Sequence, residues 1–214
     1  MGWLKNLFGK GESSDSENVR SLNHAAELNK GDIIKMSFLD QQDLSNKRFE
    51  VSEVNSYDFE REQETSFTLK GQSGDIFFLS VCNDNGKESL SFSRLLKRSQ
   101  VLDLFSENDF SHVFNEGAGS KLERKSIPAS FEDWTSATYV EEEDCVKGYY
   151  HKGDYRKRSI PRIEDESCGL EYYLLAGLEN NVAIEIEVYA SGETEVSAVV
   201  YLDMSAIEEM WPAT

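Results

Sequence analysis

Residues 148–162 read GYYHKGDYRKRSIPR, the one cluster in the chain that is both basic and aromatic. Tyr149, Tyr150, His151, Lys152, Tyr155, Arg156, Lys157, Arg158 and Arg162 fall within it. Arginine forks and tyrosine faces suit a phosphate, a carboxylate or an unstacked base. A competing use lies just upstream, where Glu141, Glu142, Glu143 and Asp144 form an acidic run. A hairpin turning at Lys152-Gly153-Asp154 sets those acids opposite the bases. Each cross-strand pair then contributes about 0.2–1 kcal/mol and the patch is neutralised.

A second set of residues is acidic. Glu185 and Glu187 alternate with Ile184, Ile186 and Val188, so they share one strand face, read as the solvent face. Glu193 and Glu195 share a face across the turn at Gly192. Four carboxylates on one hairpin can hold a hard cation through oxygen, pair with Lys or Arg, or face water. The spacing is not that of a calcium loop, and no metal site is expected. Like charges across strands repel, so a positive partner is expected nearby.

Other chemistry is sparse. His24, His112 and His151 are far apart in sequence. No nucleophile elbow, phosphate-binding loop, dinucleotide fingerprint or H-E-x-x-H stretch occurs. Cys82, Cys145 and Cys168 form no C-x-x-C pair. Cys82 reads as a small core hydrophobe, while Cys145 and Cys168 bracket the basic insertion, where a structural role is expected over an activated thiol. No catalytic residue, cofactor or metal is therefore assigned.

At the start of the chain, Trp3, Leu4, Leu7 and Phe8 fall on one face of a helix, with Lys5 and Lys10 beside them. Such a helix docks on a protein partner or a second copy, or lies in a membrane interface. M-G-W-L-K-N lacks the hydroxyl residue at position six that myristoylation needs.

The 214 residues carry 22 Lys and Arg against 40 Asp and Glu, a net charge of −18. That opposes direct nucleic-acid binding, which rests on cations displacing counterions. It suits a basic partner or mimicry of nucleic acid. There is no signal-peptide pattern, and a reduced cytoplasmic setting fits the cysteines.

The elements that must position these residues are mostly strands. An amphipathic helix spans 1–11 and a linker 12–18. A short helix carries Val19, Leu22, Ala25 and Ala26. A first α+β unit covers 19–115, a linker 116–126, and a second unit 127–214 holds the insertion 145–168. Strands are expected near 66–70, 76–82 and 89–95, then 137–142, 147–151, 170–176, 182–189 and 194–202. Asn85-Gly86 is a strong hairpin signal. Ser99 caps one short helix, Phe110, Val113 and Phe114 mark another, and Ser205 with Glu208 opens a terminal one. Sliding the chain by 106 positions aligns 66–105 with 172–211 without a gap: Leu69 meets Leu175, Gly86 meets Gly192, Phe78 meets Ile184. The fold expected is α+β, mainly antiparallel β, with two related meander units each closed by a short helix.

The stretches LNKGDII, RFEVSEV and SFTLKGQSGDIFFLSV resemble a family of uncharacterised bacterial domain-of-unknown-function proteins. YYLLAGLENN, IEIEVYASGETEV and IEEMWP are similar to it in the second half. The resemblance implies a bacterial, cytosolic, non-enzymatic protein and no catalytic residues.

The function expected is a binding or adaptor protein that recognises a protein partner, with the inner face of a membrane as one location. It would use Trp3, Leu4, Leu7 and Phe8 together with Tyr149, Tyr150, His151, Tyr155, Arg156 and Arg158. The alternatives are an enzyme or small-anion-binding protein using the 149–162 cluster, and an acidic nucleic-acid mimic.

Overall fold

Alternating apolar residues and turn residues with positive φ dictate a chain of antiparallel strands, and the computed structural model contains them. It describes residues 20–59, 62–115, 117, 119–160 and 169–213. The strands are β1 (Ile33–Met36), β2 (Arg48–Phe59), β3 (Gln63–Gly71), β4 (Ile76–Asp84), β5 (Lys87–Leu95), β6 (Lys121–Glu123), β7 (Thr138–His151), β8 (Gly169–Gly177), β9 (Val182–Tyr189), β10 (Thr194–Leu202) and β11 (Ile207–Trp211). Two α-helices, α1 (Arg98–Leu104) and α2 (Glu107–His112), lie between β5 and β6. The β4–β5 hairpin turns where expected: Asn85 and Gly86 both take positive φ, 51° and 84°.

All strands belong to one sheet, ordered β11-β1-β2-β3-β4-β5-β10-β9-β8-β7-β6, with a further pairing of β2 to β7. That last contact runs from Ser56↔His151 to Phe59↔Gly148 and closes β2, β3, β4, β5, β10, β9, β8 and β7 into a ring. The two expected units are thus not side by side with a free linker. β5 pairs with β10 from Leu95↔Ser197 to Leu90↔Leu202, and the 116–126 segment contributes β6 to the sheet.

The ring has two unlike faces. Outward lie Phe49, Phe67, Leu69, Phe77, Leu79, Phe92, Tyr139, Leu175, Ile184 and Ile186, all buried. They are buried because the connecting segments wrap over them. Trp134 stacks on Phe77 with centroids 5.9 Å apart, and Phe105, next to α1, meets Tyr139 edge-on at 5.4 Å. The Arg94 guanidinium lies 4.2 Å over Phe131 and pairs with Asp43. The hydrophobic core is therefore a jacket around the ring, and its interior is left to other residues.

Several expectations change. Residues 1–19, with Trp3, Leu4, Leu7 and Phe8 and the 12–18 linker, lie outside the described residues. The second short helix shrinks to a 3-10 turn at Ala25–Glu27. There His24 Nδ1 accepts from the Ala26 N–H and Glu27 from the Asn23 N–H, local bonds that compete with a helix. Helix α1 is capped at Lys97, with the Gln100 side chain accepting from its N–H, rather than at Ser99. The strands expected at 137–142 and 147–151 are one strand, β7, irregular between Glu141 and Val146. The terminal helix is absent. Asp203 caps a 3-10 turn at Met204–Ala206, and the chain then runs as β11 along β1, from Ile207↔Met36 to Trp211↔Ile33. Pairing with an open sheet edge outweighs the capping pattern of Ser205 and Glu208.

The gapless spacing of 106 also slips. Leu69 faces Phe77 across β3–β4, while Leu175 faces Ile184 across β8–β9. Phe77, not Phe78, therefore corresponds to Ile184, and Phe78 lies on the opposite face. A single residue's slip exchanges the two faces of a strand. Among the described residues, no helix is long and apolar enough to cross a membrane.

Candidate functional site

The inner face of the ring is where the acidic alternation of β9 points. Glu185 and Glu187 project inward, opposite in phase to the buried Ile184 and Ile186. Tyr57 on β2 donates its hydroxyl to Glu187 at 3.3 Å. β2 and β9 are separated by β7 and β8, so this bond crosses the interior. The space there belongs to an open-mouthed cavity of about 1180 Å³, whose lining also takes in Ala26, Phe67, Lys147 and Arg156. Glu64 of β3, Cys82 of β4, Tyr172 of β8, and Glu195, Ser197 and Tyr201 of β10 also line it. The expectation that Glu185 and Glu187 face bulk solvent is thus corrected: ring closure turns that face inward.

Tyrosines take the place of the expected cations. Tyr172 donates to Glu185 at 3.3 Å, and Tyr189 donates a short hydrogen bond to Glu187. Among the described residues, no ion pair involves Glu64, Glu185, Glu187 or Glu195. Glu187 and Glu195 are direct cross-strand partners, a like-charged pairing. Glu64 is half-buried and accepts no hydrogen bond from any described residue.

Enclosure moves the titrations. Burial, then Glu187 and Glu64, push the Glu185 carboxyl up to about 8 against a hydrogen bond from Tyr172. Burial, then Glu62 and Glu187, push Glu64 up to about 7. Glu187 is raised by burial and Glu195, opposed by the Tyr189 and Tyr57 hydroxyls. Glu195 is raised by burial and then by Glu193. Tyr57, Tyr172, Tyr189 and Tyr201 are all raised, first by burial and then by these carboxylates. They remain hydroxyl donors. Cys82, placed by its sequence pattern in the core, lines the cavity instead. Burial and the nearby Glu64 push its thiol up to about 12, which leaves it a poor nucleophile.

Aromatic rings form part of the wall. Tyr57 stacks on Phe59 at 5.9 Å and meets Tyr150 edge-on at 5.3 Å, and Phe59 lies 5.6 Å from Tyr172. Gly148 makes room for Phe59: a Cβ there would come within 2.5 Å of the ring.

The basic cluster divides differently. Tyr150 points to the cavity side, where burial raises its hydroxyl, while Tyr149 and His151 alternate to the other face of β7. His151 is buried edge-on to Tyr155 at 5.8 Å, its Nε2 without a partner among the described residues. Arg156 donates to both oxygens of Asp154, at 2.9 and 2.6 Å. It also donates to the Ala26 and Leu28 carbonyls at 2.5 and 2.8 Å and to Asn29 at 3.0 Å. Arg158 stacks 4.0 Å over Tyr155 and donates to the Asp154 carbonyl. The hairpin expected to set 141–144 against these bases does not form. Glu141 and Asp144 instead accept from the Ser120 and Gly117 N–H groups, each at 2.6 Å. Arg156 fastens residues 26–29 to the loop after β7 and, of the expected candidates that are described, is the one that lines the cavity.

The reading from sequence missed Tyr57, Glu64, Tyr172 and Tyr201. One signal was present: Ser91 and Ser93 alternate with buried Leu90 and Phe92, a polar phase like that of Glu185 and Glu187. Small and acidic residues sharing one phase across several strands suit the inside of a ring as well as a surface.

No family model matches the chain, and no curated protein or solved structure matches it.

Proposed function

We propose that the chain is a binding protein whose ligand lies inside the closed sheet. One observation carries this: an open-mouthed cavity of about 1180 Å³ at an eight-stranded ring, walled by polar and aromatic side chains, with the half-buried Glu64 carboxylate unbonded among the described residues. Small eight-stranded rings either fill with side chains or hold one small ligand. Ligand chambers combine aromatic surface with a few convergent polar groups. Binding without chemistry fits a raised Cys82 thiol and tyrosines that stay protonated.

The two halves also follow one plan, and we infer that they descend from a duplicated unit. Each runs from a short strand (β1, β6) to a long one (β2, β7) and then a three-strand meander. The starts of β3 and β8, and of β4 and β9, are both 106 residues apart.

Mass spectrometry of the whole chain under non-denaturing conditions tests the binding reading. The expected result is a non-covalent small-molecule adduct that Ser197→Trp, beside Glu185, removes while circular dichroism is unchanged. A bare mass for the unmodified chain, or an adduct that survives the substitution, overturns it.

A further inference from the structure

Resting on that reading, we propose that the ligand is an aliphatic amine with two or more ammonium groups. Eight carboxylates line the cavity, among them Glu64 on β3, Asp84 on β4, Glu143 and Asp144 on β7, Glu185 and Glu187 on β9, and Glu195 on β10. They are arranged for charge spread over a length. Among the described residues, no three His, Cys, Asp or Glu side chains converge closely enough to hold one metal ion. A single hard cation needs six to eight oxygens at bonding distance, and this wall does not gather them.

The second observation is Glu64 itself. It is half-buried, lines the cavity, and takes no hydrogen bond from any described residue. Tyr172 donates to one oxygen of Glu185, and Tyr57 and Tyr189 both donate to one oxygen of Glu187, which leaves the other oxygen of each without a bond from a described residue. An ammonium group offers up to three N–H donors, and a carboxylate is acceptor-only when ionised. Aromatic faces stand beside the acids: Phe59 next to Tyr172, and Tyr57 next to Tyr150. Ammonium ions are attracted to such faces, while the methylenes between them cover apolar wall. An anionic ligand would meet eight carboxylates against two cations, Lys147 and an Arg156 already bonded to Asp154 and to the Ala26 and Leu28 carbonyls, and a neutral one would leave the Glu187–Glu195 repulsion in place.

Calorimetric titration of the full chain near pH 8 tests this with four probes: diaminobutane, butylamine, butanediol and calcium chloride. Diaminobutane is expected to bind at one site, about tenfold or more tighter than butylamine. Butanediol and calcium should give no binding heat. Glu64→Gln and Glu185→Gln, each checked for an unchanged circular dichroism spectrum, should each weaken diaminobutane about tenfold. Equal binding of diaminobutane and butanediol, no heat with diaminobutane, saturable calcium binding, or unchanged affinity in both variants overturns the proposal. If diaminobutane is silent while Ser197→Trp still removes a retained small molecule, the cation class falls and the internal site stands. If neither is seen, both fall.

Discussion

Ile184 and Ile186 occupy one side of β9, and Glu185 and Glu187 the other. The first pair is fully buried under the connecting segments. The second pair, only half-buried, faces the cavity and is held by tyrosine hydroxyls. In a globular sheet of one layer the apolar face makes the core and the polar face meets water. Here the sheet closes with its polar face inside, so its two sides divide the labour. The outer side supplies stability, and the inner side keeps groups that folding alone would not favour.

The division is broken most severely from outside. Trp134 is buried against Phe77 and beneath Arg94. Trp134→Ala is expected to cost about 3–5 kcal/mol, read as a lowered urea midpoint. Arg156→Ala removes the donor shared by the Ala26 and Leu28 carbonyls. A loss of about 1–3 kcal/mol is expected, with faster amide exchange in residues 56–59, next to the loop it anchors. If either variant is as stable as the original, the jacket is not what holds the ring.

Inner-face substitutions should act on pH dependence. Glu185 titrates near 8 in the folded chain against an ordinary 4.5, so the folded state holds its proton more tightly than the unfolded state does. The stability this confers is complete below about pH 4.5 and is lost as pH rises toward 8. Glu64, at about 7, adds to the same window. Glu185→Gln should therefore raise stability by about 1 kcal/mol at pH 8 and change little at pH 4. Thermal melts across that range check it, and a parallel profile for both proteins would place Glu185 in contact with bulk water. The smallest effect is at Cys82. Cys82→Ser should alter stability by no more than about 0.5 kcal/mol, and its thiol should react slowly with a disulfide reagent at pH 8, because burial raises it.

Strand existence was legible because each strand carries its own period. β9 and β10 fall at the residues expected, and β4 and β5 differ only at their ends. Closure was not legible. It depends on Ser56–Phe59 meeting Gly148–His151, about ninety positions away, and nothing local marks that pairing. Without closure, Glu185 and Glu187 read as surface residues, and of the insertion's described arginines only Arg156 lies along the cavity they line. Arg156 illustrates the converse. A guanidinium in a basic run suggests an external anion, yet its partners are main-chain carbonyls from a segment far upstream. The terminal strand β11 was missed for a similar reason: Ser205 and Glu208 satisfy a helix signature, and only the exposed flank of β1 decides otherwise.

Both flanks of the first meander, β2 and β5, find their neighbours in the second, as β7 and β10. A nascent chain that has emerged only as far as residue 115 thus carries two unpaired backbone margins, each a template for a foreign strand. Two chains meeting at that stage can exchange second halves and still satisfy every ladder, giving an intertwined dimer with the same pairings as the monomer. Slow translation after residue 115 would favour that product, and rapid completion would favour self-closure.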